Sequence, residues 1–368
     1  MGVFCKMRII IDEAIPFVQG VFEPHAEVIY LPAAAITSLV CKEATALLIR
    51  TRTRCNAALL EESSVRFIAT ATIGTDHIDL SYCQAHDISV VNAPGSNAWG
   101  VVQWVVSVLA QINQSSEYML SERTVGVVGC GAIGERVARL LEIFGISVLR
   151  CDPFLEKKEP FRYVSLSRLA RECSVITIHT PLTVDGAHPT HHLIGRDFLH
   201  SLKHRAYILH AARGGVVDDY ELYLAKQYKH IAGYYLDVYE VESGEYMNLS
   251  LFEDAKLATP HIAGYSLEGK YMASRMASEA LAKFFGFDIT FPLLQDDGET
   301  PPTLPGFSLG ELARTYDILR DSRALKAAPQ QLEQLRTQYA YRHDYRHFHF
   351  ANPALETLVH QELSLATH

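Results

Sequence analysis

The run Val125-Gly126-Val127-Val128-Gly129-Cys130-Gly131-Ala132-Ile133-Gly134 decides how this chain folds. It begins as the continuous apolar pattern of a strand buried on both faces. The glycines that follow are spaced GxGxxG, and Val137, Leu140, Leu141 and Phe144 then recur at helical spacing. In such a strand–turn–helix unit Gly129 permits the tight turn and Gly131 lets backbone N–H groups approach a pyrophosphate. Gly134 lets helix and strand pack closely, and Ile133 completes the loop as a candidate cofactor contact. The helix N-terminus points its positive end at the phosphates.

A lone GxGxxG is weak, because glycines punctuate many turns. Here Asp152 follows at the end of the next apolar run, Ile146–Cys151. A carboxylate there accepts hydrogen bonds from adenosine ribose hydroxyls and repels a 2′-phosphate, which predicts NAD rather than NADP. Arg150 sits inside that run and is a poor 2′-phosphate ligand.

The same rhythm extends both ways along the chain. Before the glycine loop, short β-branched runs lie at 7–12, 26–31, 46–51, 67–72 and 88–92, each followed by a helix's worth of mixed sequence. After it come runs at 175–180, 206–211, 230–238 and 257–259. Strands alternating with helical stretches predict an α/β fold with doubly wound parallel sheets. Ser96 or Asn97 is placed to cap a helix beginning near Ala98, and the most apolar helical stretch, 98–112, reads as a buried helix. Gln103 and Gln111 interrupt it, and it is too short for a membrane span. The segment 296–305, rich in Asp, Thr and Pro, is a linker signal. Beyond it lie about sixty residues of helical periodicity with several Arg, His and Tyr.

Composition excludes several classes. The net charge of −9 disfavours a nucleic-acid partner. With 48% hydrophobic and 20% charged residues, a large packed core is available. The seven cysteines, Cys5, Cys41, Cys55, Cys83, Cys130, Cys151 and Cys173, are odd in number and show no CxxC spacing, which reads as reduced thiols in a cytoplasmic protein. Neither a signal peptide nor a membrane partner is expected, and Lys6 spoils a myristoylation pattern. His188, His191 and His192 cluster in one loop without the further ligands a metal would need, so no metal is expected.

Three further segments carry polar residues at strand ends, where doubly wound folds place ligands. Leu209–Asp218 ends an apolar run in Arg213, whose guanidinium can hold a carboxylate by two parallel hydrogen bonds. Leu236-Asp237-Val238-Tyr239-Glu240-Val241-Glu242 supplies carboxylates, and Thr259-Pro260-His261 supplies an imidazole. Oxidising an alcohol needs a base for the hydroxyl proton, and a carboxylate beside a histidine orients the ring and stabilises the imidazolium. Any one of the 17 histidines is more often structural; the combination with a cofactor loop is what points to hydride-transfer chemistry.

These motifs resemble the D-2-hydroxyacid dehydrogenase family. The resemblance implies that Arg213 clamps substrate, Glu242 partners the base and His261 accepts the proton. It implies NAD contacts at Thr180, Ala211, Ala212, Arg213, Asp237 and Gly264. It also implies a substrate domain of 1–97 and 267–292 and a Rossmann NAD-binding domain of 98–266 inserted into it. Segments 50–53, 69–79, 93–98 and 260–270 resemble the branch acting on 4-phosphoerythronate, in which Thr51, Thr72 and Tyr265 would contact substrate and residues 300–368 would form a small α+β dimerisation domain. The sequence departs from the usual pattern at Thr51, often Ser, and at Val241-Glu242-Ser243, where Gly-Glu-Pro is usual.

The expected activity is NAD-dependent oxidation of a small phosphorylated 2-hydroxy acid, 4-phospho-D-erythronate, on the route to pyridoxal phosphate. Phosphoglycerate, hydroxypyruvate or glyoxylate, and a non-catalytic NAD-sensing role, are the alternatives. For the substrate phosphate, Arg50, Arg52 and Arg54 at one strand end and Arg342 and Arg346 in the tail are the candidate cations; alternation along a strand would let only some of the first three face one ligand.

Overall fold

The computed structural model describes residues 7–115, 119–202, 205–242, 247–294 and 301–360. The expectations for Cys5, Lys6 and the first part of the linker lie outside these residues. The chain divides into two compact units, 1–97 with 267–299, and 98–266 with 300–368.

The first unit holds a five-stranded parallel sheet of β1 (Arg8–Asp12), β2 (Glu27–Leu31), β3 (Ala46–Ile49), β4 (Phe67–Thr70) and β5 (Ser89–Val91), in the order β2-β1-β3-β4-β5. Its central strands read ALLI and FIAT and are buried at every residue, as a sheet covered on both faces requires. One covering element is the helix Leu267–Phe285, whose Ala273, Ala277 and Leu281 share a core with Ile9, Ile11 and Leu48. The strand order reverses between β1 and β3, and there Arg50 Nε donates to Asp12 Oδ2 at 3.1 Å. β3 stops at Ile49, so 51–54 form a turn and the alternation expected there does not govern them: Thr51, Arg52 and Arg54 are all exposed while Thr53 is buried.

The second unit holds a six-stranded parallel sheet of β6 (Thr124–Val128), β7 (Ser147–Cys151), β8 (Val175–Ile178), β9 (Tyr207–His210), β10 (Gly233–Leu236) and β11 (Leu257–Ala258). Its order is β11-β10-β9-β8-β6-β7. The reversal between β6 and β8 places the glycine loop at the switch point, outside the carboxyl ends of the strands. The helix Ala98–Ser115 is the expected buried helix, with Val102, Trp104, Val105, Val108, Leu109 and Ile112 all in the core. No helix among the described residues is long and apolar enough to cross a membrane. At its start Ser96 Oγ donates to Ala93 O at 2.9 Å, and the buried Asn97 Oδ1 has no hydrogen-bond partner, so Asn97 does not take the capping role.

The tail carries helices and a parallel pairing of β12 (Thr303–Leu304) with β13 (His349–Phe350). It does not stand apart: Leu312, Tyr316, Tyr345, Leu355 and Leu358 join Val102, Leu109 and Leu140 in one hydrophobic core. Sharing that core with the nucleotide-binding sheet is why 300–368 clusters with 98–266.

Candidate active site

Parallel register brings the ends of β9, β10 and β11 side by side, with His210 opposite Leu236 and Leu236 opposite Ala258. Asp237, Arg213 and His261 therefore all lie just beyond the carboxyl edge of one sheet. The loops carrying Arg213 and Glu242 touch: a Cβ at Gly214 would stand 2.0 Å from Tyr239 O. Only glycine allows that approach. Arg213 itself is half-buried, and its Nη1 donates to Ala212 O at 2.8 Å.

His261 Nδ1 donates to Glu242 Oε1 at 2.7 Å, which fixes the tautomer and leaves Nε2 to take a proton. The second oxygen, Glu242 Oε2, accepts from Arg336 Nη1 at 2.9 Å. Burial pushes the Glu242 carboxyl up, but the hydrogen bond and charge of His261 and the charge of Arg336 outweigh it and hold it below the ordinary carboxylate range. Burial, with smaller contributions from the neighbouring His179 and His261 and against a backbone hydrogen bond with Arg213, pushes His210, behind the site, down to about 3, so it stays neutral.

His261 adopts φ +57°, a left-handed backbone that a side-chain-bearing residue takes at a cost. Its loop is held from two sides. Buried Asp237 accepts from Thr259 Oγ1 (2.6 Å), Ile262 N (2.9 Å) and Ala263 N (2.8 Å). Arg342 donates to the carbonyls of Ile262 (3.0 Å), Ala263 (2.6 Å) and Tyr265 (3.1 Å), and to Gly100 O and Gln103 Oε1. Its guanidinium lies 4.0 Å from the Tyr316 ring centroid. Arg342 is thus committed to the loop, which corrects its candidacy as a phosphate ligand. Arg346 is committed as well, to Asp344 at 2.7 Å, and Asp344 also accepts from Ser266 Oγ.

At the glycine loop Gly129 has φ +84°, and a Cβ there would meet Thr180 Cγ2 at 2.8 Å. A Cβ at Gly134 would stand 2.0 Å from Gly129 O, whereas one at Gly131 would meet nothing within 4 Å. The helix Ala132–Ile143 begins at Gly131 with no side-chain cap, and Ile133 is partly buried in its first turn. Asp152 Oδ2 accepts from Cys130 N at 3.1 Å while Oδ1 caps the short helix after it. Arg150 is buried and bidentate to Glu142 at 2.6 and 2.8 Å, as its place inside the strand demands. Ala211 and Ala212 are buried after β9, and Gly264 packs against Gly100.

The substrate candidates divide between the units. Thr51 is exposed after β3, and Thr72 Oγ1 donates to Gly74 O at 3.0 Å, both in the first unit. Tyr265, in the second, lies edge-on to Tyr339 and Tyr341 at 6.3 and 6.2 Å. His191 and His192 stack at 4.0 Å, and His192 pairs with Glu240.

Residues 101–263 match the model of the D-isomer specific 2-hydroxyacid dehydrogenase NAD-binding domain. An erythronate-4-phosphate dehydrogenase of Bacteroides fragilis is 39% identical over 340 residues, covering 92% of this chain and 97% of that protein. The chain belongs to the erythronate-4-phosphate dehydrogenase family. A relative of the same name from Azotobacter vinelandii is 40% identical over 90% of this chain and 89% of its own length. Among solved structures, D-lactate dehydrogenase of Aquifex aeolicus, complexed with NAD and lactic acid, superposes with a TM-score of 0.64 at 26% identity, over 76% of this chain and 95% of that one. The 3-phosphoglycerate dehydrogenase of Entamoeba histolytica, at 24% identity and TM-score 0.64, shares the fold.

As a member of this family the chain is an NAD-dependent dehydrogenase, and its residues fit the cofactor. The open space beside Gly131, the uncapped helix start and the buried Thr180 hydroxyl without a hydrogen-bond partner all suit a dinucleotide pyrophosphate. Sequence reasoning missed Arg336, which sits in a mixed helical stretch with no motif around it. It also missed Trp104, whose indole reaches Thr259. No pattern in the chain marks either contact, because both cross long stretches of sequence.

Proposed function

We propose that this chain oxidises 4-phospho-D-erythronate to (R)-3-hydroxy-2-oxo-4-phosphonooxybutanoate with NAD, a step toward pyridoxal phosphate. The observation that carries the reading is the His261–Glu242 pair at the carboxyl edge of an NAD-binding sheet, in a chain whose relatives bear that enzyme's name. NAD, held by Gly129, Gly131, Ile133, Gly134 and Asp152 with Thr180, Ala211, Ala212, Asp237 and Gly264, supplies the hydride acceptor. Arg213 holds the C1 carboxylate by paired hydrogen bonds. His261 Nε2 takes the C2 hydroxyl proton, and the imidazolium is stabilised by Glu242 on Nδ1. Thr51, Thr72 and Tyr265 contact the substrate's hydroxyls and phosphate, with Arg52 and Arg54 as exposed cations for the phosphate. A homodimer in the cytoplasm, with 300–368 at the contact, completes the reading.

The test is purified protein with NAD and 4-phospho-D-erythronate, followed at the NADH absorbance band, beside 3-phosphoglycerate, D-lactate and glycerate. Preferred turnover of 4-phospho-D-erythronate is expected. Faster turnover of another acid would overturn the substrate assignment, and sedimentation velocity would report the dimer.

A further inference from the structure

We propose that Arg336 is a positioning residue for the proton-transfer pair: a guanidinium supplied by the C-terminal segment pins Glu242 so that one carboxylate oxygen stays on His261 while part of the carboxylate's charge behind the imidazole is offset. The inference rests on His261 being the base.

Glu242 lies on irregular chain beyond β10, where a carboxylate has rotational freedom unless something takes its second oxygen. Arg336 Nη1 takes it, at 2.9 Å, and Arg336 Nη2 is anchored on its other side by Glu333 Oε2 at 2.7 Å. Glu333 in turn accepts from Thr337 Oγ1 at 2.9 Å. The guanidinium side chain is only 17% exposed, so water screens the pair weakly. A planar fork between two carboxylates sets an orientation that a mobile ammonium would not.

The same nitrogen stands 3.3 Å from His261 Nδ1. With Nδ1 donating to Glu242, this contact sets a cation against a ring N–H. Glu242 alone would favour the imidazolium and leave less of the ring as free base; the cation offsets part of that stabilisation. Asp237, buried beneath the loop, and His210, buried and neutral, also act on this imidazole, and Glu333 shares the guanidinium from its far side. Arg336 is the cation that pairs directly with Glu242.

The experiment uses the full chain with ring-labelled histidine, and follows His261, identified by its loss in His261→Gln, by NMR across pH. In Arg336→Met the imidazole titration is expected to move up by about one pH unit, because an unbalanced carboxylate now faces it. Arg336→Lys should return most of that shift, while kcat recovers only in part because the fork is lost. With NAD and 4-phospho-D-erythronate, the acid limb of kcat/KM moves the same way in Arg336→Met, giving a roughly tenfold loss below it, and KM for NAD stays unchanged. An unshifted titration in folded Arg336→Met overturns the inference. Should that variant not fold, Arg336→Gln is held to the same criterion. The NMR arm needs no turnover, so a wild-type protein inactive on 4-phospho-D-erythronate would sink the substrate assignment and leave this result standing on its own.

Discussion

The indole N–H of Trp104 donates to Thr259 Oγ1 at 2.8 Å, joining the helix that precedes the glycine loop to the strand end that precedes His261. Thr259 Oγ1 in turn donates a hydrogen bond to Asp237, which holds the next turn of the loop by accepting from two backbone N–H groups. The three side chains are buried, so each polar atom depends on the others. Thr259→Val keeps the shape and strands both partners. It should cost about 1–3 kcal/mol in thermal unfolding and lower kcat more than it raises KM for NAD. Thr259→Ser, which keeps the hydroxyl, should return most of both.

Replacing the base gives the largest effect on rate. His261→Ala should lower kcat by on the order of 10²–10⁴-fold at neutral pH, with NAD affinity unchanged by fluorescence titration. Full turnover in that variant would remove His261 from the mechanism. Glu242→Gln keeps a hydrogen-bond acceptor but loses the charge, and a smaller loss is expected.

Glu242 also leaves a signature in stability. Its folded carboxyl titrates below its ordinary value, so its stabilisation is present above that value and is lost as pH falls through the depressed one. Acid unfolding of Glu242→Gln should lack that component, measured as a flatter dependence of Tm on pH below about 4.5.

Asp219 behaves in the opposite sense. Burial pushes its carboxyl up to about 7, the charges of Glu240 and Asp218 add to this, and the backbone hydrogen bond from Glu240 opposes it. A folded value above the unfolded one means stability is highest below the ordinary carboxylate range and falls as pH rises to about 7. Asp219→Asn should remove that decline, so that the variant gains on wild type at pH 8 relative to pH 5. Equal pH dependence in the two proteins would show the carboxyl ionising normally.

The last two glycines of the cofactor loop should separate folding from binding. A methyl at Gly134 would collide with Gly129 O, so Gly134→Ala should lower Tm and abolish NAD binding together. A methyl at Gly131 meets open space in the protein, so Gly131→Ala should unfold within about 0.5 kcal/mol of wild type. Isothermal titration should nevertheless show weakened NAD binding, since that space is where a pyrophosphate must approach the backbone.

What the sequence determined by itself was local and periodic. Buried strands such as ALLI and VITI, the GxGxxG turn and the helix of Ala98–Ser115 are written in the spacing of apolar residues, and the strands at 8–12 through 257–258 lie where that spacing puts them. Arg213, Asp237 and His261 were legible because strand ends in a parallel sheet are ligand positions whatever else the chain does. The tertiary structure decided what those side chains face. It turned Arg342 from a free cation into a strut under the His261 loop, gave Asp152 a capping role beside the glycine turn, and brought Arg336 onto Glu242 from 94 residues away. Such pairings depend on the tail sharing a core with the nucleotide-binding sheet, a matter of packing between distant segments that no local period encodes.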